Sequence, residues 1–391
     1  MELLLRTKKL FVFLLIGSFF TIVNAEVVTI ISNTNYTISQ GSVFPNSTKR
    51  YLYNYDRLRL QADYHDSNFF GTLIGDGVNY FGHEYISSTS FSYTKFLESD
   101  TPYSTQTPYE NYYEGEIYSK LYRLYGGYED EANRIVVGLQ NITMGVGRIW
   151  SPTNLFNPRN TYALEPDETF GVSAVSYTRH IDDMSDITIV ASQKKDFTYK
   201  YALRYKAFLE YADVALNVVA SDETKMIGYE VEANLADSGI EVRSEGAYIK
   251  NSLNVTLTTR EDIEFFQGII GADYGFENGV TLVTEALYST QRFSYNQIFL
   301  NVNSEILPNL LYSSFYFGTT LSYSMTLYLD ASLGYIESFN TKNSRYLTPT
   351  LTYTLNDFNS FSLGAMIQNG TKDSEFGMFS NTYYFNYSLA F

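Results

Sequence analysis

After the first 25 residues, apolar and polar positions trade places with a period of two, the repeat of a β-strand rather than of a helix. Ile227, Tyr229, Val231, Ala233 and Leu235 alternate with Gly228, Glu230, Glu232 and Asn234. Leu327, Leu329, Ala331, Leu333 and Tyr335 alternate in the same way with Tyr328, Asp330, Ser332 and Gly334. The pattern predicts strands near 50–64, 68–81, 115–127, 133–142, 169–180, 184–192, 198–209, 212–221, 225–236, 239–250, 262–275, 278–289, 311–322, 325–336, 344–355, 358–368 and 380–391. Short connections carry turn chemistry, as in Asp182-Asp183, Glu277-Asn278-Gly279 and Asn356-Asp357. Between them come the longer segments 82–114, 143–168, 290–310 and 369–379.

A water-soluble sandwich also alternates, so the identity of the two faces matters. Tyr and Phe crowd the strand ends here, as in Tyr51, Tyr53 and Tyr55, while Ser, Thr, Gly and Asn recur on the other face. Aromatic girdles with a polar interior are what a barrel in lipid needs, because only a closed sheet satisfies every backbone group there. The expected fold class is therefore all-β, a transmembrane antiparallel β-barrel. Seventeen visible strands, with short turns at one end and the C-terminus at that same end, require one more strand first, at Val27–Ile31 or Tyr36–Gln40. The count is then 18, or 16 if one strand has been wrongly divided, since single-chain bacterial barrels have even numbers.

Residues 1–25 pair Arg6, Lys8 and Lys9 with an apolar stretch from Leu10 to Val23 and end on Val23-Asn24-Ala25, which reads as a secretory signal peptide cleaved near Ala25. The expected organisation is that leader followed by one domain over 26–391, in the outer membrane of a Gram-negative-type bacterium. Removing the leader takes the formal charge from −16 to −18. Such acidity argues against nucleic acid as a partner. The absence of Cys excludes disulfides and thiolate metal sites, and three His leave little for zinc, so neither cofactor nor metal is expected. No catalytic motif stands out, and His65, His83 and His180 are not placed to share a general acid–base task, so no enzyme activity is expected.

The last strand carries Tyr383, Phe385, Tyr387, Leu389 and the terminal Phe391 on one face. It resembles the C-terminal signature of bacterial outer-membrane β-barrels, which implies recognition by the barrel-assembly machinery and contact with outer-membrane lipids and lipopolysaccharide. A second stretch, from Gly138 through Gly147-Arg148-Ile149-Trp150-Ser151-Pro152 to Asn157-Pro158, is similar to one in porin-like barrels of the alginate-export type. Leu139 and Met144 depart from that pattern, so the resemblance implies a porin-like channel and no particular substrate.

By strand parity Arg57, Arg59, Lys200, Arg204 and Lys206 point into the barrel, and so do Glu230, Glu232, Glu241, Glu245, Asp273, Glu285 and Asp330. These are the candidate pore-lining residues, and their acidic excess predicts mild cation preference. Parity fails over 115–127, where Lys120 and Arg123 both face inward only if a bulge intervenes. The segment 143–168 is the third long-end loop, and Arg148, Trp150, Asn154, Asn157 and Arg159 are the candidate constriction, with donors facing a solute. The expected function is passive passage of small hydrophilic solutes or ions. A surface-exposed structural or adhesive barrel and a barrel enzyme are the alternatives, and homo-oligomerisation is left open.

Overall fold

The computed structural model describes residues 26–340 and 342–391, so the expected leader and its cleavage site lie outside the described residues. The first strands are β1 (Glu26–Gly41), β2 (Arg50–Asp66), β3 (Phe69–Phe81), the three-residue β4 (Glu110–Tyr112), β5 (Gly115–Glu129) and β6 (Asn133–Gln140). There follow β7 (Val172–Asp182), β8 (Ser185–Gln193), β9 (Tyr199–Leu209), β10 (Ala212–Ala220), β11 (Thr224–Asn234), β12 (Ile240–Asn254) and β13 (Arg260–Gly275). The last six are β14 (Val280–Ser289), β15 (Phe315–Thr326), β16 (Leu329–Phe339), β17 (Ser344–Asn356), β18 (Asn359–Asn369) and β19 (Thr382–Ala390).

Each strand pairs antiparallel with its neighbours in chain order, β4 is a flap on β5, and β19 pairs back onto β1. The result is a closed barrel of 18 strands. Closure leaves no edge whose N–H and C=O groups lack a partner. The inferred first strand exists as one element spanning both candidate segments, and its Ser32–Ser39 stretch pairs with Ala390–Tyr383. The strands expected at 311–322 and 325–336 begin about four residues later, at Phe315 and Leu329. The first shift arises because Leu311 is used in loop packing, where an apolar residue continues the alternation without extending the strand, and the second because the preceding strand runs on through Thr326.

The two faces are inverted relative to a soluble protein. Leu216, Ile227, Ile270 and Leu363 point outward with 60–66% of their surface bare, whereas Glu230, Glu245, Glu285 and Arg243 point inward and are nearly covered. The parity conflict in β5 is resolved by a bulge. Arg123 lies opposite Ile74 and Leu121 opposite Gly75, so Tyr122 has no opposite number. The extra residue turns both Lys120 and Arg123 to the interior, as a bulge must.

Candidate functional site

The loop between β6 and β7, residues 141–171, folds into the lumen rather than over its rim, and the inner wall shows why. Glu230 on β11 accepts from the Gly145 amide at 2.8 Å, from Asn217 at 2.6 Å and from Arg204 at 2.6 Å. Glu245 on β12 accepts from the amides of Val146, Gly147 and Thr153 at 2.8, 3.0 and 2.7 Å, and from the hydroxyls of Ser151 and Thr153. Glu285 on β14 accepts from the amides of Arg148, Ile149 and Trp150 at 2.6, 2.9 and 3.1 Å. Hydrogen bonds to an ionised acceptor are roughly twice as strong as neutral ones, and here they satisfy loop amides that have no strand partner. Gly145 has φ +95°, and a Cβ there would strike Ser151 and Glu245, so the clasp needs glycine at this position.

The far end of the loop is held on another wall. Arg57 on β2 donates two bonds to Glu165, at 2.9 and 2.8 Å, and Arg59 donates to both Glu168 and Asp76. In the closed barrel eight strands separate β2 from β12 on either side, so the loop crosses the full width of the lumen. One half is filled. Ile142, Met144, Leu155 and Phe156 pack against Val172, Val190, Ala202, Val219 and Met226 of β7–β11. On the other side Ile149 and Trp150 pack against Ile269, Leu287, Tyr316, Ile336 and Tyr346, and beside them a cavity of about 270 Å³ remains between the loop and β15–β19, lined by Arg148, Arg159, Thr161 and Leu164 on one side and by Thr320, Ser332, Ile336, Thr348, Thr350, Met366 and Tyr384 on the other.

All twelve candidate pore-lining side chains are on inward positions, but they do not form free ladders. Glu230, Glu245 and Glu285, at 2, 0 and 1% exposure, lie beneath the loop and hold it instead of facing open water. Lys200 is likewise covered, donating to the Leu155 carbonyl, and Arg57 is spent on Glu165. Arg204 and Glu230 are ion-paired neighbours at 2.6 Å and Lys206 approaches Asp213 at 3.4 Å, so these charges cancel locally instead of facing one another across the pore. Asp330 accepts from Ser324 beside a short turn. Glu232, Glu241 and Asp273 converge on Arg148 at 3.2, 2.9 and 3.5 Å.

The candidate constriction residues divide in the same way. Arg148 and Arg159 face the cavity, half exposed. Trp150, Asn154 and Asn157 do not present donors to a solute. Trp150 is buried with its ring against Tyr316 and over Gly318. Asn154 donates to the Asn157 carbonyl, and Asn157 accepts from the Ile142 amide. The loop's own backbone consumed the two asparagine amides because a buried turn without strand partners must be satisfied by side chains.

Arg243 was absent from the candidates although parity with Glu241 and Glu245 marks it. It is fully buried and bridges Glu285, Glu241 and Asp273. Glu165 and Glu168 left no periodic signal because they lie in a loop. His65 and His180 sit at the short-turn end and His83 at the other, and no His side chain is hydrogen-bonded to another side chain among the described residues.

The loop joining β18 to β19 also closes on this site. Glu375 accepts from the hydroxyls of Tyr316 and Ser338, with no cation partner among the described residues, and burial pushes its carboxyl up to about 7 against these opposing hydrogen bonds. A carboxyl raised on folding stabilises fully below its free value near 4.5 and loses that contribution as pH climbs through 7. The loop over 371–379 should therefore loosen between pH 4.5 and 8, by up to about 3 kcal/mol, and Glu375→Gln should flatten the dependence. Amide hydrogen exchange of this loop, corrected for intrinsic rates, is the measurement. Protection that is independent of pH in the unmutated protein would contradict it.

No family model matches the chain, and the comparison with curated proteins finds no match. Similarity appears among solved structures. OccAB1 of Acinetobacter baumannii superposes with a TM-score of 0.60 at 10% identity, covering 94% of this chain and 96% of that one. A BenF-like porin from Pseudomonas fluorescens Pf-5 gives 0.56 at 10% identity over 93% and 98%. The outer membrane protein OpdK of Pseudomonas aeruginosa gives 0.55 at 8% identity over 94% and 99%. At such identities the likeness is one of fold. It supports the porin-like barrel and not the alginate-export-type resemblance, whose motif residues Gly147, Trp150 and Asn157 are engaged here in closing and docking the loop.

Proposed function

We propose that the chain is a porin-like channel of a bacterial outer membrane that passes small hydrophilic solutes. The observation that carries this reading is the incompletely filled lumen: a loop spans the barrel, apolar packing closes one side, and a cavity lined by hydroxyls, two arginines and some apolar side chains remains on the other. The bare apolar exterior supports a lipid setting, since water would disfavour so much exposed hydrocarbon. Both termini of the barrel and the short turns share one end, which belongs in the periplasm under this reading. Arg148 and Arg243 together offset most of the charge of the Glu232, Glu241 and Asp273 cluster, so ion passage should favour cations only mildly and lose that preference as salt screens fields beyond about 8–10 Å.

Purified protein in planar bilayers should give stable conductance steps in KCl, and a folded barrel with no conductance would overturn the channel reading. Protease and phospholipase assays on the same sample test the enzyme alternative. Tyr383, Phe385, Tyr387 and Leu389 share the outward face of β19, and Phe391 closes the chain beside Ile31. Deleting Phe391 should leave export intact but lower the amount of inserted barrel, read by membrane fractionation. Normal levels would sever this residue from assembly.

A further inference from the structure

The wall of β15–β19 behind the remaining cavity differs chemically from the charged wall of β9–β14. Among the inward-facing residues of β15–β19, Asp330 beside the short turn is the one side chain with a formal charge, and most of the rest are Ser, Thr, Gly, Tyr or amides. Thr320, Gly334 and Thr348 form one row across this wall, and Ser322, Ser332, Thr350 and Gly364 form the next. Thr350 and Tyr384 share a hydrogen bond at 3.0 Å, whereas the side-chain hydroxyls of Thr320, Ser332 and Thr348 have no protein partner among the described residues although they border the cavity. Gly364 leaves room for the Tyr384 ring, because a Cβ there would meet it at 2.3 Å.

Across the cavity stand Arg148 and Arg159, and neither offers free charge. Arg148 is committed to Glu232, Glu241 and Asp273, and Arg159 to Asp167 at 3.0 Å and the Arg148 carbonyl. A charged solute entering here would shed water against hydroxyls, already paired ions and the apolar side chains of Leu164, Ile336 and Met366, which do not replace its hydration. A hydroxylated neutral solute would exchange water for side-chain hydroxyls at little net cost. We infer that the slot between the crossing loop and β15–β19 selects uncharged polyhydroxylated solutes of monosaccharide size, with Thr320, Ser332 and Thr348 as the hydroxyls that receive them. This rests on the channel reading and deepens it.

Proteoliposome swelling with three probes of similar size tests the inference: glucose, gluconate and glucosamine, at matched osmolarity. Glucose should enter about fivefold faster than either ion, the size of effect expected of one or two hydrogen bonds. A Ser332→Ala, Thr348→Val double variant keeps the shape of the slot and removes two hydroxyls. It should slow glucose about threefold, with the folded fraction by gel mobility and the gluconate rate read beside it to separate a lost hydroxyl from a lost barrel. Gluconate or glucosamine entering as fast as glucose would overturn the inference and leave the channel reading intact, as would an unchanged glucose rate in the double variant. A folded barrel that neither swells liposomes nor conducts KCl would overturn the channel reading, and this inference with it.

Discussion

Replacing Glu245 and Glu285 together by alanine is expected to release residues 145–153 from the wall and raise single-channel conductance severalfold. Glu245 alone receives three loop amides and two hydroxyls, and Glu285 receives three more amides together with Arg243. Removing either carboxylate strands buried donors, each at roughly 1–3 kcal/mol, and removing Glu285 also leaves Arg243 short of one of its three partners. Breaking such a buried charged cluster costs about 3–5 kcal/mol, more than any packing the loop can recover in place. Glutamine is no remedy, because both oxygens of Glu245 accept and an amide would turn a donor toward donors. The 18-strand ring does not depend on these contacts, so the barrel should stay folded. Conductance and protease sensitivity of 145–160 report the change, and an unaltered conductance step would show that the loop is held by its apolar side alone.

The second large effect separates the two faces of one strand by a single residue. Leu351 on β17 faces outward between Ala331 and Leu363, while Thr350 beside it faces the cavity. Leu351→Arg should destabilise the inserted barrel by about 2–4 kcal/mol, the cost of a guanidinium near the lipid midplane. Thr350→Arg should leave folding near normal yet cut conductance by about half or more, because the side chain enters the open slot. Folded fraction by gel mobility, with bilayer conductance on the folded material, checks both. Equal stability of the two variants would mean that the exterior is not in hydrocarbon.

Much of the architecture was legible because a closed sheet has few ways to use a period-two pattern. Turn chemistry at Asp182, Asn278 and Asn356 marked one end, the run from Thr382 to Ala390 marked the closing strand, and the even count required a partner for it. The strand start near 311 was displaced because Leu311 keeps the alternation while packing in a loop, and the one near 325 because the preceding strand runs on through Thr326. The charged wall residues named from the sequence lie on inward strand positions, and the one conflict, Lys120 with Arg123, coincides with a bulge in β5.

The interior's use of those charges was not legible. Parity says which face a side chain occupies, and nothing in it tells whether Glu245 meets water or the amides of Val146 and Gly147 a hundred residues away in sequence. Asn154 and Asn157 read as donors for a solute, yet their groups close the loop on itself. The sequence by itself determined a closed antiparallel barrel with a polar interior, because alternation, turns and the unpaired edge are local or near-local constraints. Only the tertiary structure decided that the third loop crosses from β12 to β2, that the acidic wall is consumed in holding it, and that the cavity left beside it borders a row of hydroxyls. Those outcomes depend on contacts between residues distant in the chain, where the need to satisfy each buried amide and carboxylate, rather than any repeat, selects the partner.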